Sequence, residues 1–193
     1  MKPLKILGIV AAVVVLIVII VISSVVGRRN QMVTMREAVR QSWSQIDVVI
    51  QRRSDLVPNL VATVKGIAAQ EKEVFSNIAD ARARLAGAQS PRDRMAANDR
   101  LTGALGRLLV IVENYPVLKS NENFLRLQDE LAGTENRIAV ERRRYNQSVQ
   151  AYNTYIQLFP NNLVASMSGF SQEEGYFEAA PEAREVPTVQ FAQ

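Results

Sequence analysis

From Ile6 to Gly27 the chain carries no charged residue, and Ile, Val, Leu and Ala fill every position except Gly8, Ser23, Ser24 and Gly27. Twenty-two helical residues span about 33 Å, enough to cross a hydrocarbon core of about 30 Å. The run therefore predicts one transmembrane helix. A cleaved signal peptide is the competing reading, but its apolar region is usually shorter, and Ser23-Ser24-Val25-Val26-Gly27 makes a poor small-x-small cleavage site. A bacterial inner-membrane signal anchor fits better. Lys2 and Lys5 before the span face Arg28, Arg29, Arg36 and Arg40 after it, which leans toward a cytoplasmic C-terminal domain. The two lysines also suit an ordinary signal anchor with the domain outside, so orientation stays open.

The remaining chain is long enough for one modest domain with its own core. Its 193 residues include no cysteine and no histidine. Cys/His zinc sites, Glu-x-x-His di-iron bundles, Ser-His-Asp triads and Cys-His dyads each need a residue that is missing. Carboxylate, Lys, Ser or Tyr chemistry remains open, but no paired constellation stands out. A pI near 9.6 suggests nucleic acid, yet Lys2, Lys5, Arg28 and Arg29 supply the excess. Removing those four from 23 basic residues leaves 19, against 19 acidic ones. The positive charge belongs to the membrane ends, and no nucleic-acid partner is expected.

Beyond the anchor, Val39, Trp43, Ile46, Ile50, Arg53, Val57, Leu60, Val64, Ile67, Glu71, Val74, Ile78, Ala81 and Leu85 recur in steps of three and four. That spacing places one side chain per turn on a common face, as in a helical bundle or coiled coil. Only Arg53 and Glu71 break the seam, and Arg53 is expected to be buried only if an acid pairs with it. Pro58 lies within it. A proline removes an intrahelical hydrogen bond and disfavours helical angles at Val57, so the helix either kinks there or stops and restarts with Ser54 or Asp55 as the new cap. Unbroken phase favours a kink and length favours a reversal. An uninterrupted helix from 33 to 88 would run about 84 Å, leave the face of Trp43, Ile46 and Ile50 uncovered in a monomer and so demand a partner protomer.

Gly87 and Ser90-Pro91-Arg92-Asp93 mark the next break, with Ser90 as cap and Pro91 in the first helical position. Met95, Leu101 or Thr102, Leu105, Leu108, Leu109 and Val112 carry the following face, and Gly103 and Gly106 thin another for close helix approach. Asn114-Tyr115-Pro116 stops this helix. Ser120 is expected to cap a long return helix through Phe124, Leu127, Leu131, Thr134 and Ile138. A stutter then places Arg142 on the seam, beside Arg143 and Arg144. Tyr145-Asn146 and Tyr152-Asn153 repeat at seven residues. Core aromatics with hydroxyls reaching the surface explain the repeat better than a ligand-stacking ladder. After Pro160 and a short turn to Gly169 the chain becomes acidic, yet Tyr176, Phe177 and Phe191 are too apolar for a solvated tail. The tail is expected to lie along the bundle or a neighbour, its acids near Arg137 and Arg142 to Arg144.

These segments together resemble the LemA family. The match rests on Trp43-Ser44-Gln45-Ile46-Asp47, QRRSDLVPNLVATVKG at 51–66, Glu71-Lys72-Glu73, Ala81-Arg82, the Tyr-Asn repeat with Phe159-Pro160, and the closing Tyr176-Phe177 and Pro187-Thr188-Val189-Gln190-Phe191. One departure is Ile67-Ala68-Ala69-Gln70, where the family often has an aromatic residue and a histidine. The resemblance implies a bacterial membrane protein with one N-terminal span and a cytoplasmic helical bundle, not known as an enzyme. Relatives beside membrane proteases and in magnetosome membranes imply a scaffold or adaptor.

The expected fold is all-α. A short flank at 1–5 and a transmembrane helix at 6–27 precede an up-and-down bundle of long helices at 31–168 and a partly extended acidic tail at 169–193. The expected role is a non-enzymatic, self-associating scaffold at the inner membrane, possessing no cofactor and able to shape the bilayer. The alternative is an adaptor for a membrane protease or other membrane enzyme. Gln51, Arg52, Arg53, Asp55, Pro58 and Asn59 form the expected hinge. Trp43, Arg142, Arg143, Arg144, Tyr176, Phe177 and Phe191 are the expected oligomer or tail contacts.

Overall fold

The structure is a computed structural model that describes residues 3–177; the expected contact at Phe191 falls outside the described residues. The first helix, α1 (Pro3–Lys65), runs 63 residues without interruption, about 95 Å. Its large apolar side chains from Leu7 to Val26 are exposed all round, and the segment is long and apolar enough to cross a membrane. From Met32 onward one stripe becomes buried: Val39, Ile46, Val49, Ile50, Arg53, Val57, Leu60 and Val64. The apolar segment and the first bundle helix are thus one continuous rod.

Pro58 neither reverses this helix nor ends it. The group orphaned by the missing N–H is the carbonyl of Ser54, four residues back. Arg82 supplies the replacement, its Nε donating to Ser54 O at 3.2 Å. The reversal comes later, in the turn after Lys65. Gly66 still donates to Ala62 O, and both Ile67 and Ala68 donate to Val64 O at 3.0 and 2.8 Å, tightening the helix end. Ala68 is fully buried in this turn while Ile67 is exposed. The apolar register consequently slips by one, and Phe75 replaces Val74 as the buried residue of the next helix.

That helix, α2 (Lys72–Gly87), runs back along α1 and pairs with α3 (Pro91–Val112). Ser90 caps α3 as expected, its Oγ accepting from Asp93 N at 3.1 Å with Pro91 in the first turn. Gly103 and Gly106 do not mediate close packing: a Cβ at either would meet nothing within 4 Å. A one-turn helix, α4 (Pro116–Lys119), follows where only a stop was expected. Asn121, not Ser120, caps α5 (Glu122–Gln157), accepting from Phe124 N at 3.0 Å, while the Ser120 hydroxyl turns back to Pro116 O.

At 36 residues, about 54 Å, α5 runs antiparallel along α1. Ser148 meets Ser42 at 2.9 Å and Tyr152 meets Arg36 at 3.5 Å. Its buried Ile138, Tyr145, Val149, Tyr152 and Ile156 share the core with Ile46 and Ile50. The unbroken helix therefore needs no partner protomer to cover that face. A partner was expected only for a helix unbroken to residue 88; α1 ends at Lys65, and α5 reaches back far enough to cover the face.

The α2–α3 pair extends down α1 only to Asp47, which is paired with Arg94. Below that level the packing is completed by α6 (Asn161–Ser168) and the segment after it. Arg28 donates to Asn161 Oδ1 at 2.6 Å, and the Arg36 guanidinium lies 4.3 Å over the Phe170 ring. Gly169 closes α6 with a φ of 71°, a left-handed conformation that glycine accepts without strain.

Candidate functional site

The expected hinge residues diverge into separate contacts. Gln51 donates to Asp55 at 2.9 Å on the exposed side of α1, so Asp55 caps no helix. Arg52 lies 3.9 Å from Glu130, both side chains largely exposed. Asn59 is exposed and offers its carbonyl to Thr63. Arg53 alone turns inward and is 4% exposed. It pairs with Glu135 of α5 and donates to Asn98 Oδ1 of α3 at 3.4 Å, while Thr102 also reaches Glu135 at 3.5 Å. The expected acidic partner is present, and the pair ties α1, α3 and α5 together. A cavity of about 230 Å³ beside it is lined mainly by Leu60, Leu105, Leu109 and Leu131.

The basic cluster on α5 is likewise divided. Arg142 pairs with Asp99 of α3 at 2.5 Å and Arg144 with Glu141 at 2.8 Å, while Arg143 is exposed. These pairs occupy Arg142 and Arg144, two of the four arginines expected near the acidic tail. Glu178, Glu182 and Glu185 of that tail lie outside the described residues.

The described start of the tail, as far as Phe177, lies on the bundle, held through asparagine side chains. Asn153 Nδ2 donates to Glu173 O, and Glu173 N donates to Asn153 Oδ1, both at 2.9 Å. Asn146 repeats this seven residues earlier: its Nδ2 donates to Phe177 O at 2.8 Å and its Oδ1 accepts from Phe177 N at 2.9 Å. Each carboxamide thus satisfies both main-chain groups of one extended residue, as a neighbouring β-strand would. Tyr152 adds a bond from its hydroxyl to Ser171 O at 2.9 Å.

Two features of this cradle read side chains. The Phe177 ring lies 5.0 Å from that of Tyr145 and 6.3 Å from that of Trp43, while Trp43 and Tyr145 meet edge to face at 6.2 Å. Tyr145 also fixes the residue between the clamps, because a Cβ at Gly175 would stand 2.6 Å from its hydroxyl. Burial, and then the charge of Glu173, raise the Tyr145 pKa above 10.0. Tyr176 points away and is exposed. Trp43 and Phe177 thus meet within the cradle, while Asn146, Asn153 and Gly175, which hold or line the segment, were not among the expected contact residues.

Residues 42–191 match the LemA family, a span that contains the Pro58 segment, the cradle and its tail. The chain belongs to the LemA family. Magnetosome proteins MamQ 1 and MamQ 2 of Paramagnetospirillum magneticum are each 31% identical to it, over 86% of this chain and 70% of theirs. Magnetosome protein MamQ of Magnetospirillum gryphiswaldense matches with the same identity and coverage. In this LemA-family chain, the QRRSDLVPNL motif packs Arg53 and Pro58 into an unbroken helix, and the Tyr-Asn repeat holds the C-terminal segment.

Proposed function

We propose that this LemA-family protein is a non-enzymatic, membrane-anchored scaffold that presents its bundle on a stiff stalk and self-associates at the bacterial inner membrane. The observation that carries this reading is α1 itself: 63 residues of helix join the apolar span to the bundle core with no linker between them. A flexible tether would suit a domain that diffuses and collides with substrates. A rod transmits the tilt and spacing of its membrane end to the bundle, which suits a structural element.

The side chains support the same reading. Arg52, Arg53, Asp55 and Asn59 engage different partners instead of converging on one substrate position. The relatives' names place them with the magnetosome, which is compatible with organising a membrane compartment. With Arg28, Arg29, Arg36 and Arg40 following the span, the bundle faces the cytoplasm in this proposal.

Mass measurement of the full-length protein in lipid nanodiscs of increasing size tests self-association. Discrete multiples of the 21.5 kDa chain are expected, and a strict monomer at every loading would defeat this part of the proposal. Crosslinking in native membranes separates it from the adaptor reading, which requires one dominant foreign partner instead of a second copy.

A further inference from the structure

We propose that the cradle on α1 and α5 also takes the Glu173–Phe177 segment of a second copy, so that neighbouring protomers exchange C-terminal segments. This inference supplies a contact for the self-association proposed above and rests on that reading.

The recognition chemistry is separable from the chain that carries it. Asn146 and Asn153 bind only main-chain atoms of Phe177 and Glu173, so they hold any extended segment of the right spacing. Selectivity comes from Tyr145, which excludes a side chain at Gly175, and from Trp43 and Tyr145, which receive the Phe177 ring. The segment of demonstrated fit is this chain's own, and each neighbour in the bilayer carries a copy.

Exchange also has a hinge. Phe170 remains fixed by its N–H to Ala165 O at 3.0 Å and by Arg36 over its ring, whereas Ser171 is held by the Tyr152 hydroxyl and Gln172 is exposed. With Ser171 and Gln172 freed, the three steps from Phe170 to Glu173 reach about 10 Å, so exchanging copies must place their α5 helices side by side with the two Asn153 residues close together. Exchange replaces each bond of Glu173 and Phe177 with an identical one and gives up only the bond from Tyr152 to Ser171. Its balance then depends on effective concentration, which confinement of anchored copies in one bilayer raises.

Complementary variants test this in full-length protein. One copy carries N146D and N153D, which keep side-chain size but remove the amide donors; its segment is intact. The other carries G175V and F177A, which spoil the segment and leave the cradle intact. With different affinity tags and co-expression in one membrane, each variant alone lacks a matching pair, while the mixture restores one in trans. The expected result is that the mixture co-purifies at least about tenfold above either variant paired with itself, as gain of a linked contact predicts. Thermal melts of each variant confirm folding, and a pair with N146A and N153A serves in place of the aspartates if the new charges destabilise the bundle. No preferential recovery by two folded variants overturns exchange. Wild-type multimers that survive G175V with F177A show that copies associate through another surface, which also overturns exchange while leaving the scaffold reading intact.

Discussion

Pro58 and Arg82 form the most informative residue pair in the protein. Arg82 replaces the donor that Pro58 lacks, so the two should be energetically coupled. Arg82→Ala is expected to lower stability by about 1 kcal/mol in the native chain and by much less in a Pro58→Ala background, where an amide reaches Ser54 O instead. Chemical denaturation of the four variants measures this, and additive effects would contradict the assignment. The Arg53–Glu135 pair behaves differently. Glu135→Ala strands a buried guanidinium and should cost about 2 kcal/mol, whereas Arg53→Met should cost less because it removes the charge and retains the packing. Reversing that order in the same denaturation experiment would count against the pair. The burial of Arg53 and its need for an acid were legible from its position in an apolar seam. The acid was not, since Glu135 lies 82 residues away and only the antiparallel placement of α5 joins them.

At the scale of elements, helix identities and several boundaries follow from local chemistry. Ser90-Pro91 opens α3 as its capping properties require, whereas α2 runs through Gly87 and ends at Ala88, which is extended, without a left-handed glycine. The place where α1 ends does not follow from local chemistry, because a tertiary contact from α2 overrides the usual effect of proline. The Tyr-Asn repeat was visible as a pattern, but its amides take meaning only when the extended segment lies against them. Asn146→Ala or Asn153→Ala should each weaken docking by about 1–2 kcal/mol, seen as faster amide exchange or proteolysis at residues 171–177 with the bundle still folded. Protection that is unchanged would remove the clamp role. Alkaline pH supplies a second handle. The Tyr145 pKa is raised by folding, so its contribution is intact below the unfolded value of 10.0 and is lost as pH rises through the higher folded value. Release of the segment, followed by amide protection, should therefore precede general unfolding as pH climbs above 10.0, and Tyr145→Phe should abolish that early step.

For the whole molecule, an all-α chain with a membrane-length apolar start was readable from composition and period alone. Its internal completeness was not. The long reach of α5 covers Ile46 and Ile50 without a second copy, so the self-association proposed above would have to arise elsewhere than in an unfilled core. The rod that joins apolar span and bundle is the central structural claim. Imaging full-length protein in lipid nanodiscs tests it most directly. We expect α1 to run unbroken from the bilayer past Gly27 and Pro58 to Lys65, with more than one copy sharing each disc through their bundles; a flexible break between Gly27 and Met32, or isolated single copies at every loading, would contradict the account.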